Sequence, residues 1–170
     1  GVQTCALPIS RGAQRHVMAT LKHFALNSME NARFGVDVTV DERALHEVYL
    51  PHFKRIVDEG VACVMTAYNS VNGEWCSQNH ALLENILRDE WGFKGFVISD
   101  WIFGVRDGVK SLQAGLDVEM PYRMIRNAPI VAALAEGQIT EELVASAVTR
   151  TITTMLKFNI GKLPVLDRSV

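Results

Sequence analysis

The chain is short of cysteine, of proline and of excess charge, and each shortage closes a class of function. Three cysteines in 170 residues (Cys5, Cys63 and Cys76) show neither a zinc-type spacing nor a disulfide framework. No metal site is therefore expected. Lys and Arg number 17 against 19 Asp and Glu, a net charge of −2. No basic field exists to hold a phosphate backbone, so nucleic acid is excluded as a partner. No apolar run approaches the roughly 20 residues that a membrane helix requires. No Gly-x-Gly-x-x-Gly follows a strand-like segment and there is no P-loop, which leaves nucleotide binding without support. With 48% hydrophobic residues the chain has the make-up of a soluble globular domain, or part of one.

The first nine residues, Gly1 to Ile9, carry no periodicity and do not lead into the pattern that begins near Val17. Thr4 to Ile9 is what the adapter-like string ACGTGTGCTCTTCCGATC encodes. Residues 1–9 are therefore expected to be a non-native leader, and the native polypeptide is expected to start near Ser10.

What is present is alternation. Val17 to Leu21 is an apolar, β-branched run followed by Lys22 and His23. A broken, loop-like stretch with Arg33 comes next, then a short extended piece at Val36 to Val40. Asp41 opens a helix whose apolar residues recur every three or four positions, with a break expected near Leu50 before Pro51. Val61 to Tyr68 reads as a second buried strand. Asn69 to Ser77 is a loop containing the Asn72-Gly73 turn signal. Asn79 caps the next helix, and Phe96 to Ile98 forms a third strand running into Ser99, Asp100 and Trp101. A helix over Gly104 to Ala114, a shorter strand over Leu116 to Met120, a helix over Ile125 to Glu136 and a last helix from Thr140 complete the pattern. On that last helix Leu143, Ala147, Val148, Ile152 and Leu156 share one face. Cys63 sits in an apolar run and is expected to be an inert core residue.

Strictly alternating strands and helices argue an α/β fold with a parallel sheet and right-handed crossovers. Four βα units admit an open doubly wound sheet or half of an eight-stranded barrel. Polar groups sit at the strand C-termini, where α/β proteins bind ligands: Lys22 and His23, Tyr68, Asp100 and Trp101, and Glu119. In a barrel these ends converge on one pocket, which favours that architecture. Taken alone, Asp100 reads more often as a cap of the turn or helix after its strand than as a group that does chemistry. Lys22 alone reads as a snorkelling side chain, His23 as a core histidine, and Arg33 as a loop partner of Glu30. His16, His46, His52 and His80 have no partners at ligand spacing and read as surface or capping residues.

Seven blocks in unbroken order change that balance: Lys22-His23-Phe24 with Asn27, Glu30 and Arg33; Val40 to Arg43; Glu47 to Pro51; Met65 to Gly73; Leu87 to Phe93; Val97 to Trp101; and Ala114 to Pro121. From about Val17 to Pro164 the chain resembles glycoside hydrolase family 3, the β-glucosidase-like enzymes. The resemblance implies a (β/α)8 barrel of which this chain is the second half: about four βα units plus a closing C-terminal helix, an incomplete fragment. It implies a partial barrel domain over residues 10–164 and the start of a linker over 165–170.

The same resemblance implies that Asp100 is the catalytic nucleophile of a retaining, exo-acting β-glycosidase. Lys22, His23 and Arg33 would hold sugar hydroxyls, Tyr68 would stand near the nucleophile, and Trp101 would line the pocket. No cofactor is implied. The partners are a small or oligosaccharide β-glycoside and the remainder of the barrel with its following domain. In that family the acid/base commonly comes from the domain after the barrel. Glu119 is the local candidate for a second carboxylate, and a structural role is favoured for it. The alternatives are a Schiff-base lyase or aldolase using Lys22 and a non-catalytic carbohydrate-binding remnant. Ala25 to Ser28 replaces the Pro-Gly-His-Gly of the N-acetylglucosaminidase branch, favouring a glucosidase or xylosidase type. Ile102 and Phe103 stand where small residues are common, which would narrow the pocket or alter its leaving-group side.

Overall fold

The structure is a computed structural model that describes residues 17–159. The leader at 1–9, Cys5, His16, Pro164 and the linker at 165–170 lie outside the described residues. In chain order the elements are β1 (Thr20–Phe24), β2 (Asp37–Val38), α1 (Glu42–Ala44), α2 (Pro51–Asp58), β3 (Cys63–Thr66), β4 (Ser70–Val71) and β5 (Glu74–Trp75). Then come α3 (Ala81–Glu90), β6 (Phe96–Ile98), α4 (Gly108–Gln113), α5 (Asn127–Ala135) and α6 (Glu141–Lys157). The fold is α/β.

The main sheet has three parallel strands in the order β1-β3-β6, and Val118 adds a single parallel bridge to Ile98. The strands lie side by side in sequence order with no reversal, unlike a doubly wound sheet, whose order turns back at a switch point. In register, Leu21, Val64 and Val97 form one row. They share a core with Phe53 and Ile56 of α2 and Leu83 and Leu87 of α3. Cys63, Met65 and Ile98 cluster apart from that core with Phe96, Val118 and Met120. Apolar side chains on both faces are what a parallel sheet requires. Phe24 is fully buried, its ring 5.2 Å from Phe53 and 5.9 Å from Trp91, both edge-on.

The helix signals hold at their starts. Asp41 accepts the Ala44 N–H at 2.8 Å, Asn79 the Leu82 N–H at 3.1 Å, and Thr140 the Leu143 N–H at 3.4 Å. The expected break near Leu50 is present. The Leu50 N–H reaches back to the Leu45 carbonyl at 3.0 Å, a widened turn, and Pro51 opens α2, where its missing N–H costs nothing.

Several boundaries differ from expectation. The first strand is Thr20–Phe24, not Val17 to Leu21, so Lys22 and His23 lie within it. Burial of Phe24 and the Ala67 N–H bonding the Phe24 carbonyl at 2.7 Å carry the ladder onward. The second strand shortens to Cys63–Thr66. The stretch expected as a loop after Tyr68 holds the hairpin β4–β5, turned at Asn72 (φ 52°) and Gly73 (φ 89°). That pair of left-handed residues suits Asn-Gly. Leu116 to Met120 forms only the bridge at Val118.

Two helix expectations also change. The helix expected from Gly104 starts at Gly108, because Asp107 caps it by accepting the Lys110 N–H at 2.9 Å. On α6 the buried residues are Ala147 and Thr154, whereas Val148, Ile152 and Leu156 are exposed. Arg150 turns the helix by reaching Asp117 at 2.7 Å.

Candidate active site

The third strand of the main sheet delivers its carboxylate to the edge of the fold. After buried Val97 and Ile98, Ser99 is pinned to the neighbouring chain: its N–H bonds the Val118 carbonyl at 3.0 Å, and its Oγ accepts the Met120 N–H at 2.9 Å. Asp100 comes next, with a relative exposure of only 8%. Its Oδ1 accepts the Trp101 N–H at 2.7 Å, and its Oδ2 lies 3.3 Å from His23 Nε2. Asp100 caps no helix, since Asp107 performs that task for α4.

Tyr68, two residues past β3, closes this end of the sheet. Its hydroxyl donates to the Trp101 carbonyl at 2.7 Å. Burial pushes its phenol up to about 12, with the nearby charge of Asp100 adding to the shift. Tyr68 is thus held neutral beside the carboxylate. His23, Tyr68, Asp100 and Trp101 come together from three strand ends.

Arg33 belongs to the rim. It pairs with Glu30, and its guanidinium lies 4.6 Å over the Phe34 ring and 5.4 Å over the Tyr68 ring. The loop partner that sequence spacing offers for it is therefore the one it takes. Lys22 is exposed and lines a recess with His23, Asn27, Tyr49 and His52, so His23 borders both that recess and Asp100. Glu119 is engaged structurally: its carboxylate accepts the N–H groups of Met124, Ile125 and Arg126 at 3.1, 2.8 and 3.1 Å.

The spacing of residues does not reveal Phe34 or Arg106. The Phe34 ring lies 4.7 Å from that of Tyr68, tilted to it by 59°, and 5.6 Å, edge-on, from Phe103. Arg106 donates to the Phe34 carbonyl at 3.0 Å and lies 4.5 Å over the Trp75 ring. An aromatic directly after Arg33 in a polar loop is the one available signal. Burial raises the thiols of Cys63 and Cys76 to about 12, so neither is a ready nucleophile. Among the described residues no group of three or more His, Cys, Asp or Glu is placed to hold a metal.

Fold and site define a class: an α/β domain whose parallel strands end on a shielded carboxylate flanked by an imidazole, a neutral phenol and an indole. Comparison with known proteins gives the family. The model of the glycosyl hydrolase family 3 N terminal domain matches residues 2–154, and the chain belongs to that family. It is 44% identical over 150 residues to a beta-glucosidase of Rhizobium radiobacter, and 46% over 136 residues to thermostable beta-glucosidase B of Acetivibrio thermocellus. These alignments cover 86% and 79% of the chain. The structure of beta-glucosidase 3B from Thermotoga neapolitana in complex with alpha-D-glucose superposes on 94% of the chain with a TM-score of 0.87 at 36% identity. The chain spans 18% of the length of each of the two relatives and 24% of the solved structure.

Proposed function

We propose that residues 10–164 are the second half of the (β/α)8 barrel of a retaining, exo-acting β-glycosidase of glucosidase or xylosidase type, and that Asp100 is its nucleophile. The observation that carries this reading is the position of Asp100. It is a shielded carboxylate at the C-terminal end of a parallel strand, with Oδ1 fixed by the Trp101 N–H and Oδ2 beside His23. The sequential strand order supports the half-barrel, and the relatives' names support the substrate class.

In this reading an Asp100 oxygen attacks the anomeric carbon as the bond to the aglycone oxygen breaks. A second, protonated carboxyl roughly 5–5.5 Å away protonates that oxygen. The same group then deprotonates a water, which cleaves the glycosyl ester and frees Asp100. Glu119, committed to three backbone N–H groups, is a poor acid, so the acid belongs to the longer polypeptide. His23 and Lys22 offer donors to sugar hydroxyls, and Arg33 joins them only by exchanging Glu30 for substrate. Trp101 supplies a flat wall for the C–H face of the ring. No cofactor enters the reaction.

Asp100→Ala in the complete polypeptide tests the assignment. Hydrolysis of 4-nitrophenyl β-D-glucoside is expected to fall by at least about 10³-fold with the fold retained. A loss of less than about tenfold contradicts the assignment.

A further inference from the structure

Beside the short strand at Val118 the fold holds a sheet edge, a cavity and a cation that do not satisfy one another. The edge comes first. Val118 bonds back toward β6, its N–H to the Val97 carbonyl at 3.1 Å and its carbonyl to the Ser99 N–H at 3.0 Å. Met120 does the same through Ser99 Oγ at 2.9 Å. In an extended chain successive amides alternate sides, so those of Glu119 face away from β6. The Glu119 N–H and carbonyl meet no backbone partner among the described residues.

The cavity, of about 280 Å³, lies between this strand, α5 and α6. Ile130, Val144, Ala147 and Val148 give it apolar walls, and Val148 is 55% exposed.

The cation is Arg126, the residue just before α5. It lines the same cavity and is only 7% exposed. Its side chain makes no ion pair or hydrogen bond among the described residues, and its buried Nε has no partner. Burial pushes the guanidinium below its ordinary range, and the charges of Asp117 and Glu119 offset this only in part. Neither carboxylate is free to pair with it. Asp117 already takes Arg88, Arg150 and the Val97 N–H, and Glu119 takes three backbone N–H groups. Arg123, also on the cavity, adds positive charge. Buried arginines are paired as a rule, because an unpaired charge away from water is costly.

We propose that Arg126 receives an acidic side chain from the first half of the barrel in the longer polypeptide. One Asp or Glu on an otherwise apolar surface pairs with Arg126 as a strand of that half closes on the Glu119 edge. The open edge calls for a strand and the apolar walls for side chains, neither of which a diffusible anion supplies. The relatives, of whose length this chain spans 18%, have the polypeptide to provide both. The inference rests on the half-barrel reading, and it adds the charge that sets one half against the other.

The test is a crystal structure of the complete polypeptide, with thermal unfolding of wild type and Arg126→Met. A carboxylate oxygen from a residue outside this chain is expected within about 4 Å of the Arg126 guanidinium. Arg126→Met, which strands that carboxylate, is expected to melt at least about 5 °C lower. A guanidinium that faces only water, a free anion or a carboxylate of this chain overturns the inference. So does an Arg126→Met variant with a smaller fall or a rise, the result of removing a buried charge that had no partner. Both outcomes leave a closed barrel and Asp100 untouched. A complete polypeptide in which no strand pairs with the Glu119 edge overturns the half-barrel reading, and this inference with it.

Discussion

At Asp100 both carboxylate oxygens have neighbours before any substrate arrives: the Trp101 N–H on one, His23 on the other. In the reaction proposed above, where Asp100 attacks, fixing that group in advance removes orientational cost. Tyr68 contributes by staying protonated, its phenol raised to about 12 by burial and by Asp100. Because the folded state holds this proton more tightly than an unfolded chain would, its contribution to stability is complete below about pH 10. It is lost as pH rises toward about 12. Tyr68→Phe should therefore flatten the fall in stability between those values, and a phenolate absorbance titration should lose its highest-pH step. A wild-type titration with no phenol ionising near 12 contradicts this. Asp100, His23 and Tyr68 are legible in the sequence because each stands at or just past an apolar run whose end the chain announces. Phe34 is not, since its value lies in its ring contact with Tyr68, a distant residue that no local pattern encodes.

At the scale of elements, the loop after β6 and the ion pairs behind it hold the site in place. Gly104→Ala would push a methyl group into the Asp100 backbone, at a cost of about 1–3 kcal/mol, and would move the carboxylate. Urea denaturation reads the first effect and kcat the second; an unchanged kcat would show that the close approach is dispensable.

Asp117 has a fully buried side chain, and it accepts from Arg88 at 2.8 Å, from Arg150 at 2.7 Å and from the Val97 N–H at 2.7 Å. It thereby ties α3 and α6 to the strand that carries Asp100. Asp117→Ala leaves buried Arg88 with Glu84 as its remaining ion-pair partner and takes the carboxylate from half-buried Arg150; breaking such a buried pair costs about 3–5 kcal/mol. A urea midpoint within error of wild type would contradict this. The caps at Asp41, Asn79 and Thr140 are readable because capping is local chemistry. The orientation of α6 is not, because Arg150 turns it toward Asp117, far back in the chain. The end of β1 escapes sequence reading because Phe24, after a Lys-His pair, is drawn inward by α2 and Trp91.

For the molecule as a whole, the alternation of strands and helices is enough for an α/β fold with parallel strands, and the structure adds a strand order without reversal. That order is what a segment of a closing barrel would show. The apolar cluster of Cys63, Met65 and Ile98 lies apart from the core that α2 and α3 complete, and it is the lining such a barrel would enclose. In this account the catalytic acid and the rest of the pocket come from the longer polypeptide. Trapping the glycosyl-enzyme there tests the central claim most directly. The complete protein is incubated with 2,4-dinitrophenyl 2-deoxy-2-fluoro-β-D-glucoside, digested, and the labelled peptide sequenced by mass spectrometry. The account predicts one fluoroglucosyl ester, on Asp100 within Gly95 to Trp101; a label on any other carboxylate contradicts it.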